Sequence, residues 1–151
     1  MHIPDGILPA AVCAGGYAVT AGATALTLRK FKREDVPKAS LLTAAFFVAS
    51  WIHIPIPPTS VHLVLNGLMG VVLGSMAFQA ILVGLFFQAV MFQHGGLTTL
   101  GVNAAMMGLP ALLAHGIYQL RTPFGRERPL PAGIFAFLGG ALGLGISAGV
   151  A

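Results

Sequence analysis

The chain has little charge. Of its 151 residues, eight are Lys or Arg and four are Asp or Glu, so 8% are charged while 56% are hydrophobic. An ordinary soluble domain is about 25% charged. So few charged side chains cannot cover a soluble core of this size. That excludes a soluble enzyme, a disordered tail and a nucleic-acid binder of the usual sort. The single cysteine, Cys13, excludes an intramolecular disulfide and a Cys-based zinc site. No Gly-rich Walker A sequence is present to cradle a nucleotide. The only Glu residues, Glu34 and Glu127, lie outside the apolar stretches. An intramembrane metalloprotease needs its Glu on a His-Glu-x-x-His helix, so that class falls away. What the chain has instead is ten Pro and twenty Gly, which transmembrane helices tolerate better than a soluble bundle does.

The placement of the charges gives the topology. Residues 6–28, 39–120 and 129–151 contain no Asp, Glu, Lys or Arg. A helix needs about 20 apolar residues to cross the bilayer core, so the outer blocks each fit one crossing and the middle block about four. All eight basic residues fall in the two clusters between the blocks, Arg29 to Lys38 and Arg121 to Arg128. The formal net charge of +4 therefore reads as membrane orientation. Basic loops face the cytoplasm, and both can do so only if the middle block crosses an even number of times. Pro55, Pro57 and Pro58 break one helix, Gly74-Ser75 suits a tight turn, and Gly95-Gly96 breaks the chain again. The expected architecture is an all-α polytopic bundle of six helices with the N-terminus outside. Its segments run at about 7–28, 39–54, 61–73, 76–92, 98–120 and 130–151. The whole of 1–151 is expected to form one transmembrane domain. No cleavable signal peptide is expected, because no basic residue precedes the first apolar run.

On this map His2, His53, His62 and His94 gather at the outer face, and His115 alone lies toward the inner half. A histidine among apolar helices is a functional candidate, although each one could also be a hydrogen-bonded packing residue. The first two residues offer a chelate. The Met1 amine, the deprotonated His2 amide and the His2 imidazole supply three nearly coplanar nitrogens. A fourth nitrogen would complete a square, which suits Ni²⁺ or Cu²⁺ and, with adjustment, Co²⁺. Zinc, the alternative, wants a tetrahedron. His62 is expected at the same membrane face. Pro4 and Asp5-Gly6 favour a turn that folds the terminus back. Asp5, the only acidic residue assigned outside, reads as a stabiliser of that turn or of a helix N-terminus ahead of direct ligation. Ala45 and Ala49 form a small-residue stripe suited to close helix contact, within the bundle or with a partner.

Three stretches resemble the CbiM/NikM family, the substrate-binding components of energy-coupling-factor transporters for cobalt and nickel. They are Met1-His2-Ile3-Pro4-Asp5-Gly6, Ser60-Val61-His62-Leu63 through Gly67, and Gln93-His94-Gly95-Gly96-Leu97-Thr98-Thr99-Leu100-Gly101 with Asn103. The resemblance implies a Ni²⁺ or Co²⁺ site built from Met1, His2 and His62, with His94 and Asn103 supporting it from behind the ligands. His53 matches no ligand of the family. The resemblance further implies a non-enzymatic component in the inner (plasma) membrane of a prokaryote. Its implied partners are a transmembrane coupling protein, which Ala45 and Ala49 would face, two cytoplasmic ATPases and a small accessory membrane subunit. Relatives commonly have seven crossings, so a C-terminal helix is expected to be missing here. Two other readings stay open. A cytochrome b-like protein would bind haem between His62 and His94 on facing helices, and a purely structural bundle would bind no metal.

Overall fold

A computed structural model describes residues 3–30, 32–56, 59–62, 65–124 and 129–150. For 53–56 and 59–62 it describes the backbone. Six helices are present: α1 (Ala10–Leu28), α2 (Val36–Ala49), α3 (Asn66–Leu73), α4 (Ala77–Phe92), α5 (Leu100–Gln119) and α6 (Pro129–Val150). Two short antiparallel strands, β1 (His53–Ile56) and β2 (Thr59–His62), stand between α2 and α3. The expected helical membrane bundle is therefore the observed fold.

Helix α5 is the axis, with α1, α3, α4 and α6 packed around it and α2 resting on α4. The core runs through Phe46, Met69, Ile81, Leu85, Met107 and Ala111. Polarity is arranged inside out. Asn66, Gln88 and Thr99 are completely buried, while Leu41 is 72% and Phe137 74% exposed. Water would penalise that surface, whereas hydrocarbon does not, and buried polar side chains in a membrane bundle bond across helices. Thus Gln88 on α4 donates to Ser50 beyond α2, and Gln79 on α4 donates to Thr27 on α1. The apolar stretches Ala10–Leu28, Asn66–Phe92 and Leu100–Gln119 meet the length and hydropathy of membrane crossings. The protein is a membrane protein.

The second of those stretches is folded in two. Gly74 has φ 63° and ψ −131°, a conformation that only glycine adopts without strain. The reversal is visible from what each arm touches. Gly70 on α3 abuts the Ala111 carbonyl, Gly74 faces the His115 ring, and Phe78 on α4 covers Gly108. Both arms therefore climb α5 from a turn beside His115. A Cβ at Gly70 would lie 2.0 Å from the Ala111 oxygen, so this glycine sets how closely α3 approaches α5.

The same end of the bundle holds the first basic cluster and Arg121, the described basic residue of the second. Lys38 donates through Nζ to the Val72 carbonyl at 2.7 Å, and Arg121 follows the end of α5 with its guanidinium over the Tyr118 ring. The even number of passes between the clusters agrees with the sequence expectation. His115 lies at this end, as expected.

One expectation needs correction. The sequence predicts segment 2 at about 39–54 and segment 3 at about 61–73. Helix α2 ends at Ala49, α3 starts only at Asn66, and the ladder of β1 and β2 lies between them. The prolines at 55, 57 and 58 exclude helix from the stretch, and Ile54, Ile56, Thr59 and Val61 favour extended backbone. The ladder pairs His53 with His62, Ile54 with Val61, Pro55 with Ser60 and Ile56 with Thr59. His62 therefore stands in a strand, four residues before a helix. Paired strands satisfy each other's backbone groups, which lets non-helical chain persist in an apolar setting.

Candidate metal site

The end of the bundle opposite the basic clusters is where the N-terminal segment docks. Met1 and His2 lie outside the described residues; Ile3 is where the description starts. The Ile3 N–H donates to Asn103 Oδ1 at 2.9 Å, and Asn103 Nδ2 donates to the Ile3 carbonyl at 3.0 Å. Thr99 Oγ1 donates to the same carbonyl at 2.6 Å. Asn103 and Thr99 are both buried, so these bonds form away from competing water. They face the terminus because α5 starts at Leu100, which sets Thr99 and Asn103 one turn apart on the same side of the helix.

Asp5 makes the second attachment. Its carboxylate accepts the Thr98 N–H at 2.9 Å, the Leu97 N–H at 3.2 Å and the Thr98 hydroxyl. These are the last residues before α5, where backbone N–H groups lack helical partners and favour an anion. The Thr98 hydroxyl, helped by the backbone N–H groups, holds the Asp5 carboxyl below its usual range. Asp5 thus serves a helix N-terminus, one of its two expected roles, but the helix is α5 and not its own. Gly96 makes room for it. A Cβ there would lie 1.9 Å from Asp5 Oδ1. On the other side, α1 holds the same loop: Tyr17 donates its hydroxyl to the Leu97 carbonyl, and Thr20 Oγ1 donates to the Gly101 carbonyl at 2.7 Å. A cavity of about 490 Å³ lies beside this clasp, bordered by Pro4, Asp5, Gln93 and Gly96.

His94 follows the end of α4. Gln93 takes a left-handed conformation (φ 53°), and the His94 N–H returns to the Gln88 carbonyl at 3.1 Å. The His94 ring lies against Trp51, with centroids 6.4 Å apart and 30° between planes. Trp51 also packs edge-on to Phe92 and precedes β1, which brings the hairpin to this end. The structure therefore gathers Ile3, Asp5, His94, Asn103 and the strand positions of His53 and His62 at one end. Neither His62 nor His94 lies within a helix, so the facing-helix arrangement of a haem pair is not present. Among the described residues no group of three His, Cys, Asp or Glu side chains forms a metal cluster. The proposed ligands Met1 and His2 and the His62 side chain fall outside what is described. On α2, Ala45 is exposed and Ala49, one turn further along the same side, is buried.

In the sequence Gly96 is marked only as part of a chain break and Thr99 only as part of a family-like stretch, and neither is given a part in holding the terminus; Tyr17 is not marked. Thr98-Thr99 ahead of an apolar run is a helix-start signal, which points to Thr99. Nothing local announces the partners of Tyr17 or Gly96, because they are distant in sequence.

The comparisons with known proteins bear on the family and on the fold. The CbiM family, described as the cobalt uptake substrate-specific transmembrane region, matches residues 2–151. A putative metal transport protein of Haemophilus influenzae is 40% identical over 80% of this chain and 59% of its own length. The fused nickel transport protein NikMN of Rhodobacter capsulatus is 34% identical over 92% of this chain and 43% of its own. The cobalt transport protein CbiM of Sorangium cellulosum is 36% identical over 72% of this chain and 52% of its own. The chain thus spans about half the length of the curated relatives it matches. A crystal structure described as a truncated transition metal transporter superposes with a TM-score of 0.79 at 28% identity, over 98% of this chain and 72% of that one. Sequence and fold together make this chain a member of the CbiM family of cobalt and nickel transport membrane proteins.

Proposed function

We propose that the protein captures Ni²⁺ or Co²⁺ from the outer side of the plasma membrane of a prokaryote, as the substrate-binding component of an energy-coupling-factor transporter. The ion is held by the Met1 amine, the His2 amide and imidazole nitrogens, and His62. The observation that carries this reading is the grip of Asn103 on Ile3. The Ile3 N–H belongs to the planar peptide unit that joins it to His2, so anchoring it fixes the direction in which the chain leaves toward His2. A chelate made of two flexible terminal residues would lose affinity to its own ordering, and a fixed third residue removes much of that cost. Asp5 adds a second anchor two residues further on.

In this reading the protein does not hydrolyse ATP. A transmembrane coupling protein and two cytoplasmic ATPases, with a small accessory membrane subunit, drive release of the ion to the inside. The exposed Ala45 side of α2 is available to such a partner. The nitrogen donors suit both nickel and cobalt.

The test is calorimetric titration of Ni²⁺ and Co²⁺ into detergent-purified protein, with its native N-terminus and with two residues added before Met1. Tight binding that the extension abolishes is the expected result. Equal binding by both forms would remove the terminal amine from the ligand set.

A further inference from the structure

Helix α2 rests on α4 without closing against it. Between them runs a cavity of about 520 Å³, walled by Val36, Thr43 and Phe47 on α2 and by Gln79, Val83 and Met91 on α4. Val83 and Met91 are exposed along its open side. Water would penalise so apolar a groove, and hydrocarbon fills it. From Val36 to Phe47 the α2 wall rises about 16 Å. One leaflet contributes about 15 Å of hydrocarbon, half the bilayer core. Charge stands at one end of the groove only. Arg33 opens the turn that leads into α2, three residues before Val36. On the other side Gln79 donates to Thr27 in the last turn of α1, and Arg29 and Lys30 follow that helix. Residues 29–38 carry five basic and two acidic side chains, a net charge of +3, whereas 39–120 carry no charged side chain. Lys32 pairs with Glu34, and Lys38 donates to the Val72 carbonyl. Arg29, Lys30 and Arg33 are exposed, and they flank the inner end of the groove from both sides.

We propose that this groove is a binding site for an anionic phospholipid. One acyl chain lies between α2 and α4, and the phosphate headgroup sits at the basic end with Arg29, Lys30 and Arg33. Basic clusters directly beside membrane helices attract anionic headgroups in this way. The chain alone would not choose its lipid, because a zwitterionic lipid offers the same hydrocarbon. The net charge at the end of the groove makes the choice. The site lies at the end opposite the clasp and does not depend on which ion, if any, is held there.

The test is fluorescence quenching in vesicles. The full chain carries Phe87→Trp, a lining position that keeps an aromatic ring, in a Trp51→Phe background that removes the only native tryptophan. The vesicles are phosphatidylcholine with a minor fraction of phosphatidylglycerol. Bromines sit either on the phosphatidylglycerol or on an equal amount of the phosphatidylcholine. Quenching should show the anionic lipid favoured by about fivefold, the worth of one basic residue near an anionic surface. Arg29→Gln with Arg33→Gln should bring the two lipids together. Ala44→Phe, which fills the groove and keeps every charge, should do the same. Equal quenching in the parent overturns the proposal, and it is what a groove shaped for a protein helix would give. A preference that survives Ala44→Phe also overturns it, because the charges would then gather lipid without the groove. If the charge variant does not fold, salt decides. A preference that high salt leaves undiminished is not set by the headgroup charge, and the proposal fails.

Discussion

Asn103 spends both groups of its carboxamide on the backbone of one residue, accepting from the Ile3 N–H and donating to the Ile3 carbonyl. No other side chain of its size could do both. Asn103→Asp keeps an acceptor for the N–H but sets a carboxylate oxygen against the Ile3 carbonyl, and Asn103→Ala keeps neither bond. Both variants should lower Ni²⁺ affinity by the roughly 10–100-fold typical of residues that orient a ligand without touching the metal. His62→Ala should lose far more, and His115→Ala, at the far end of the bundle, should lose nothing. Calorimetry on the four variants checks the order, and equal losses at 62 and 115 would sink the ligand assignment. Asp5 sets a separate pH boundary. Its folded pKa is depressed, chiefly by the Thr98 hydroxyl. Its attachment is therefore present above the unfolded carboxylate value and is lost only as pH falls through the lower folded value. Protons compete with metal for the imidazole ligands. Metal affinity should therefore fall as pH is lowered from about 7 toward 5, while the Asp5 clasp is still closed. Asp5→Asn should weaken binding at every pH from about 7 to 5 and, because protons compete with a more weakly held metal, shift its release to higher pH. Unchanged binding across that range would remove the clasp from the support of the site.

At the level of elements, the sequence disclosed the helices and concealed the hairpin. Three charge-free blocks, cut by Gly74-Ser75 and Gly95-Gly96, were enough to place six helices close to their observed positions. The strands escaped because each is four residues long, Pro55 interrupts the first, and Pro57-Pro58 separate them, a composition that reads as loop. Their register, and with it the pairing of His53 and His62, depends on a backbone reversal that no helical or alternating pattern announces. Similarly, Asp5 and Asn103 were legible as residues of interest, but their partners were not, since Asp5 is bound 93 residues away and Ile3 100 residues away. The turn that the sequence did mark makes a sharp prediction. Gly74 sits at φ 63° and ψ −131°, and a Cβ there would come 3.1 Å from the His115 ring. Gly74→Ala should cost about 1–3 kcal/mol through backbone strain. In a thermal melt it should lower the midpoint, and His115→Ala in the same chain should recover only the part due to the ring contact. Full recovery would show that crowding, and not φ, makes glycine necessary.

For the whole molecule, the fold divides the chain into two chemically different ends. One carries the Arg29–Lys38 cluster, the Gly74 turn, His115 and Arg121. The other carries the clasp of Ile3 and Asp5 on Leu97 through Asn103, together with His94 and the hairpin. Basic loops are retained on the cytoplasmic side, so the proposed capture from outside requires that the clasp face out. Single cysteines test this in a Cys13→Ser background, which removes the only native thiol. Lys32→Cys reports the basic end, where the side chain is exposed. Leu97→Cys reports the other end; the clasp uses the Leu97 backbone but leaves its side chain 47% exposed. A membrane-impermeant maleimide applied to intact cells with a permeable outer barrier should label position 97 at once and position 32 only after lysis. The opposite pattern would turn the clasp toward the cytoplasm and exclude uptake by outward capture. Labelling of both positions in intact cells would mean that the clasp and the first basic cluster lie on the same side, contrary to the fold. If added Ni²⁺ also slows labelling at 97 but not at 32, the clasp end is where the ion is held.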